Sequence, residues 1–298
     1  MKDSVYRAFG LNIHSEVPLP NLSQIKGTPD IVIRYGKVPD KIPHAKIKGT
    51  QYQVGPGEFL LRINGVARYH VKDGKTILIQ KESQAVDEEM LLILMDSIMG
   101  VLLFQRNVLP LHSSAVAVNE EGVLFMGTSG IGKSTIVTGF QKKGFPFLAD
   151  DLCAVKINRN GEPRIVPGFP QGKLWDDTLK KMNIDRTKLR RARLDSDLEK
   201  YFIPFDNSPD LHPPVRSIFV LNTSNIQDFE SEEVKGFDKA NLLINYTYRP
   251  WLLEGLGGKE NHFKQCARVA EAARVIKVTR PDHGFKLKEL MDIIQKNW

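Results

Sequence analysis

The chain has 298 residues, 41% of them apolar, and a net charge of +7. That length and apolar share exclude an intrinsically disordered tract and allow one large domain or a core domain with a smaller partner. The basic balance alone does not mark a nucleic-acid binder, because phosphate-handling sites also need positive potential, and no nucleic-acid partner is expected.

The opening Met1-Lys2-Asp3-Ser4 has no apolar signal region, so a cytoplasmic protein is expected. Cys153 and Cys266 stand far apart without metal-ligand spacing, which suits a reducing compartment and packed thiols. The first 85 residues alternate short apolar runs with turn residues, as in Ile31-Val32-Ile33 and Phe59-Leu60-Leu61, and predict a β-rich unit. Within it, Asn64-Gly65 and Asp73-Gly74 predict two hairpins in succession. From Val86 to Arg106 the spacing turns helical, which places a domain boundary there and gives units of 1–85 and 86–298. The apolar run Met90 to Phe104 holds Asp96 and Ser97 and is too short to cross a bilayer, so no membrane partner is expected.

The segment Leu111 to Val118 predicts a strand antiparallel to Gly122 to Met126 across a short Asn-Glu-Glu turn. The second strand runs directly into Gly127-Thr128-Ser129-Gly130-Ile131-Gly132-Lys133-Ser134-Thr135, a match to the P-loop pattern in its strand-to-helix context. In such a loop the glycines let backbone amides face the phosphates, Lys133 reaches the outer phosphate oxygens, and Ser134 can ligate Mg²⁺. A nucleoside triphosphate, ATP or GTP, with Mg²⁺ is therefore the expected cofactor. A helix from Lys133 to about Lys143 with Gly144 beyond it completes the unit.

Phe147-Leu148-Ala149 predicts the next strand, and it ends in Asp150-Asp151. Successive strand side chains point to opposite faces, so only one of the pair can aim at the phosphates unless the strand breaks there. One carboxylate would serve the metal and the other would accept the proton of an attacking hydroxyl. His112, taken alone, fits a core histidine as well as a site residue. Farther on, Arg190, Arg191 and Arg193 form a basic cluster that can grip an anionic substrate or can pair with Asp195, Asp197 and Glu199 at helical spacing. An extended loop is expected from Asn207 to Pro214.

Taken together, His112 standing fifteen residues before Gly127, the Gly-x-Ser-Gly-Ile-Gly-Lys-Ser loop and the following Ala149-Asp150-Asp151 resemble the catalytic domain of HPr kinase/phosphorylase. The opening residues Phe9-Gly10-Leu11 and Ser15 to Pro20, with Leu174-Trp175-Asp176-Asp177, are similar to HPr-kinase-like proteins that phosphorylate lasso-peptide precursors. The resemblance implies a mixed-sheet α/β P-loop domain of the HPr kinase and phosphoenolpyruvate carboxykinase type behind a β-rich N-terminal domain. It implies Asp151 as proton acceptor, with Asp150, His112 and Lys133 beside it, and metal-ligand roles for Ser134, Asp150 and Asp177. The implied activity is an ATP-dependent serine kinase acting on a peptide or small protein, which includes the C-terminal serine of a lasso-peptide precursor, and the implied assembly is a homo-oligomer. A glutamate in a glycine-rich signature that HPr kinases use for metal is absent from this sequence, which speaks against the phosphorylase reaction. A nucleotide-sensing P-loop regulator and a small-molecule kinase are the alternatives.

Overall fold

The computed structural model describes residues 4–19, 21–192, 199–206 and 210–298. Its first eight strands are β1 (Ser4–Ala8), β2 (Leu11–Ser15), β3 (Ile31–Tyr35), β4 (Ile47–Lys48), β5 (Tyr52–Gly55), β6 (Glu58–Ile63), β7 (Ala67–Lys72) and β8 (Thr76–Lys81). They form one sheet in the order β1-β2-β3-β8-β7-β6-β5-β4. The hairpins follow from local turn chemistry. Ile63 pairs with Ala67 across Asn64-Gly65, and Lys72 pairs with Thr76 across Asp73-Gly74, where Asp73 and both glycines take positive φ.

One face of this sheet buries Ile13, Ile31, Tyr69, Val71, Ile77 and Ile79. The helical segment that follows covers that face: α1 (Asp87–Ile93), a π-helical turn at Leu94–Ile98, and α2 (Met99–Gln105). Met90, Leu94, Ile98, Val101 and Leu102 pack into the same core, and the Tyr69 hydroxyl donates to the Met90 carbonyl at 3.0 Å. The boundary expected at residue 86 would thus separate the sheet from the helix that closes its core.

The second half of the chain begins with β9 (Leu109–Leu111), β10 (Ser113–Val118), β11 (Glu121–Met126) and α3 (Lys133–Lys142). There follow β12 (Phe147–Ala149), β13 (Cys153–Ile157), β14 (Pro163–Val166), β15 (Gln171–Trp175), α4 (Asp176–Lys181) and β16 (Lys200–Pro204). The last elements are β17 (Val215–Ser224), β18 (Glu230–Val234), α5 (Phe237–Asn245), α6 (Leu252–Leu256), α7 (Lys259–Ala272), β19 (Arg274–Pro281) and α8 (Leu287–Asn297).

Six of these strands form a mixed sheet in the order β12-β10-β11-β17-β19-β18, in which β11, β17 and β19 run parallel. The protein is therefore a mixed α/β fold. The β10–β11 turn is tighter than its sequence suggests: Val118 pairs with Glu121, leaving Asn119 and Glu120, both at positive φ. On one face of the sheet, Phe125 stacks on Phe140 of α3 at 5.7 Å and on Phe219 of β17 at 6.1 Å. Each such ring contributes about 1.5–3 kcal/mol of burial, and together they seat α3 firmly behind the end of β11. That seating fixes the loop between them, at the carboxyl end of the parallel strands where α/β sheets place ligands.

Candidate active site

The loop Gly127–Gly132 leaves β11 and enters α3 with three glycines at positive φ, namely Gly127 at 147°, Gly130 at 84° and Gly132 at 111°. A side chain at Gly127 would meet the Leu221 carbonyl at 2.8 Å, whereas at Gly130 and Gly132 the space is open. The loop thus needs glycine for its packing at one end and for its clear inner surface at the other.

Lys133 is buried at the start of α3, and its ammonium donates to the carbonyls of Gly127 and Thr128 at 2.8 and 3.2 Å. Its third partner is His112 Nε2 at 3.1 Å. His112 Nδ1 lies 3.2 Å from the Asp151 carbonyl. A carbonyl only accepts, so Nδ1 carries the proton and Nε2 is the free lone pair that receives the lysine. Burial, reinforced by the Lys133 charge, holds the His112 pKa below its ordinary value, and the ring is neutral. His112 is therefore an acceptor that fixes Lys133. Burial also lowers the Lys133 pKa, against the opposing pull of Asp151 and Asp150.

The two carboxylates after β12 point into this same space because the strand stops at Ala149. Asp151 takes a left-handed φ of 63°, and the Leu152 amide donates back to the Asp150 carbonyl at 2.8 Å. Aspartate tolerates that conformation better than most residues, and such strain collects at functional sites. The break removes the alternation that would have sent one carboxylate to the far side.

Asp150 receives Ser114 Oγ at 2.5 Å and Ser134 Oγ at 2.9 Å on one oxygen, and the Lys173 amide at 3.0 Å on the other. Burial and the neighbouring Asp151 charge raise its pKa, and these hydrogen bonds oppose the rise. A buried carboxylate next to a serine hydroxyl is a hard oxygen pair that suits Mg²⁺, whose charge would offset the burial of the anion. Asp150 and Ser134 therefore fit the expected metal.

Asp151 has a different partner. Its carboxylate meets Lys173 Nζ at 2.8 Å, and the same ammonium meets Asp96 of the π-helical turn at 2.5 Å. Burial would raise the Asp151 pKa, but the Lys173 and Lys200 charges outweigh it and hold the group below the usual carboxylate range. For Lys173 burial works the other way and is overcome by Asp96 and Asp151, which raise its pKa. One residue of β15 thus holds both aspartates, Asp150 through its amide and Asp151 through its ammonium.

The remaining candidates lie elsewhere. The Asp177 carboxylate accepts from Lys181 and Thr178 on the exposed side of α4, so the structure does not bring it to Ser134 and Asp150. Arg190 lies over the Phe202 ring, and Arg191 pairs with Glu199 at 3.4 Å. Arg193 lies outside the described residues, as do Asp195, Asp197 and 207–209 of the expected loop. Arg186, from the same basic run, pairs with Asp176 and Glu199. The segment is not a helix but a turn against β16, so its ion pairs come from the β15–β16 hairpin and not from helical spacing. Cys153 and Cys266 are buried free thiols. Lys173, Asp96 and Ser114 were not among the sequence candidates. Lys173 carried one local signal, its place immediately before the Leu174-Trp175 segment.

Fold and site together describe a P-loop phosphate cradle with two inward carboxylates in a mixed α/β protein. No family model matches the chain. A stretch of 55 residues is 42% identical to HPr kinase/phosphorylase from Chlorobium phaeobacteroides (strain BS1), covering 18% of this chain and 16% of that relative's length. The structure of the HPr(Ser) kinase/phosphatase from Coxiella burnetii superposes with a TM-score of 0.28 and 15% identity, over 63% of this chain and 88% of that one. That superposition equates no individual residues. The sequence match likens this 55-residue stretch to HPr kinase/phosphorylase, and the chain spans only a small part of that relative's length.

Proposed function

We propose that this chain is an ATP-dependent kinase that transfers the γ-phosphate to a serine hydroxyl of a peptide or small protein. The observation that carries the reading is the break after Ala149, which leaves Asp150 bonded to Ser134 and the Asp151 carboxylate, held by Lys173, near enough for its charge to act on Lys133. A loop that only holds a nucleotide needs no second carboxylate fixed as an anion beside the first.

In this reading the amides of 127–132 and Lys133 bind the phosphates, and neutral His112 keeps Lys133 aimed at them. Ser134 and Asp150 would hold Mg²⁺, which supplies charge neutralisation on the outer phosphate oxygens. Asp151 accepts the serine proton as the serine oxygen bonds to the γ-phosphorus and the bond from that phosphorus to the bridging oxygen breaks, releasing the nucleoside diphosphate. Lys173 keeps Asp151 ionised and in place, so the acceptor is ready at neutral pH. Most of the rate enhancement would come from positioning and charge. The likeness of the opening residues to lasso-peptide kinases narrows the acceptor to a precursor peptide ending in serine. The same reading includes a homo-oligomer without nucleic-acid partners. Among the described residues no helix is long and apolar enough to cross a membrane.

The test is mass spectrometry of candidate serine peptides incubated with Mg-ATP and either the wild-type protein or Asp151→Asn. A gain of about 80 Da per phosphoryl group that disappears in the variant supports the assignment. ATP hydrolysis without any phosphorylated peptide or protein would favour a nucleotide-sensing regulator, and phosphorylation of a small alcohol alone would favour a small-molecule kinase.

A further inference from the structure

A groove of about 650 Å³ opens between the N-terminal sheet, the helical segment that covers it and the turn that enters α6, a size at which protein pockets enclose a ligand. Its helical wall is written in the sequence: Glu89, Leu92, Ile93, Asp96, Ser97 and Val101 recur at spacings of three and four and share one face. Leu61 and Ile63 of β6 form the opposite wall and stay only partly buried. The third wall holds Trp251, which is 37% exposed and has its ring 4.7 Å from that of Tyr52.

One end of the groove reaches the reacting groups by two routes. Asp96 borders the groove and also the small cleft that holds Lys173 and Asp150, and its carboxylate meets the Lys173 ammonium that holds Asp151. Tyr248 borders it too, with its ring 6.3 Å from that of His112, the acceptor that fixes Lys133. The same end carries Arg249, at a left-handed φ of 50°, whose guanidinium donates to Ser97 Oγ at 3.1 Å and lies over the Tyr248 ring. Among the described residues Arg249 forms no ion pair. Two carboxylates also line the groove. Asp96 is compensated by Lys173, and Glu89 stands eight residues before Ser97, roughly 12 Å along the helix axis. The uncompensated charge at the inner end is therefore the Arg249 cation.

We propose that this groove seats the phosphate acceptor as an extended peptide, a reading that rests on the kinase assignment above. Apolar side chains of the peptide lie between β6 and α1, Arg249 binds a carboxylate of the peptide, and the chain there presents its serine to Asp151. Partly buried apolar walls and Trp251 reward side chains spaced along a chain, which a small alcohol lacks, and a carboxylate matches the planar fork of Arg249. That carboxylate is the peptide's own C-terminus or an acidic side chain beside the serine.

The test is phosphorylation of a library of short peptides, each with one serine and random residues elsewhere, half with a free C-terminus and half amidated. The library is incubated with Mg-ATP and the wild-type protein, and mass spectrometry reads which members gain a phosphoryl group. The best of them then gives KM and kcat for wild type, Arg249→Gln, Arg249→Lys and Trp251→Ala. The expected result is selection of apolar residues and a carboxylate near the serine, with a rise in peptide KM on the order of ten-fold in Arg249→Gln and partial recovery in Arg249→Lys. Trp251→Ala should raise the same KM. Selection confined to the free half assigns the carboxylate to the C-terminus, and selection of Asp or Glu in both halves assigns it to a side chain. No preference for a carboxylate, an unchanged peptide KM in Arg249→Gln or Trp251→Ala, or an effect on kcat alone overturns the groove while the kinase reading stands. If no peptide gains a phosphoryl group, the peptide-kinase reading itself falls and takes the groove with it.

Discussion

Replacing Lys173 with methionine removes the one ammonium between Asp96 and Asp151 while keeping the apolar stem. The three side chains are 12%, 26% and 19% exposed, so little water can take over from the missing charge. Deleting one partner of a buried ion pair costs about 3–5 kcal/mol, and the residual exposure of Asp96 places this case near the lower end, at about 3 kcal/mol. For a chain of this size that corresponds to a drop in melting temperature of roughly 5 °C. Much of the penalty is the stranded charge, so Asp151→Asn in the same chain should return part of it. A double-mutant cycle of Lys173→Met with Asp151→Asn, read by thermal unfolding, should give a coupling of about 1–3 kcal/mol. Phosphate transfer should fall about a hundred-fold in Lys173→Met at saturating ATP, because a displaced acceptor loses alignment. Strictly additive stabilities, or full activity in Lys173→Met, would refute the idea that Lys173 holds Asp151 in place.

His112 supplies a pH signature. Its folded-state pKa lies below the ordinary value of 6.5, so between those two values the unfolded chain binds the proton that the folded chain refuses. The associated stability is fully present above pH 6.5 and is lost as pH falls through that window, and His112→Gln should remove this part of the acid slope when unfolding is followed from pH 7.5 to 5. Gly127→Ala should cost about 1–3 kcal/mol, since a φ of 147° and the Leu221 carbonyl at 2.8 Å both oppose a side chain. Gly130→Ala has open space around it, so its melting temperature should change less while Mg-ATP affinity falls, a contrast that paired melting and binding curves on the two variants would expose.

What could be read from the sequence was the part in which a few neighbouring residues dictate the backbone. Asn64-Gly65 and Asp73-Gly74 make their hairpins by turn chemistry alone, and Gly127 to Thr135 makes the cradle because a strand, three glycines and a helix start are contiguous. The α1–α2 segment was legible as a helix, but its π-helical turn was not, because Asp96 looked like a polar interruption of an apolar run. The reason it sits there is Lys173, 77 residues away on β15. Arg186 was grouped with Arg190 and Arg191 by proximity along the chain, yet its partners Asp176 and Glu199 meet it only once β15 and β16 pair. Charge compensation across a sheet has no local pattern to read.

The adjacent aspartates lie between these two cases. Alternation along a strand says that Asp150 and Asp151 face apart, and the only escape is a break in the strand at that point. The left-handed Asp151 is that break, and it carries a conformational cost on the order of 1–3 kcal/mol that neighbouring contacts must offset. Lys173 provides such contacts to both residues at once, through its amide to Asp150 and its ammonium to Asp151. A position that sustains backbone strain and holds two like charges side by side gains nothing for packing from the arrangement. In the proposed kinase reading, the arrangement presents two oxygen sets to one phosphate cradle, one for a metal and one for a proton.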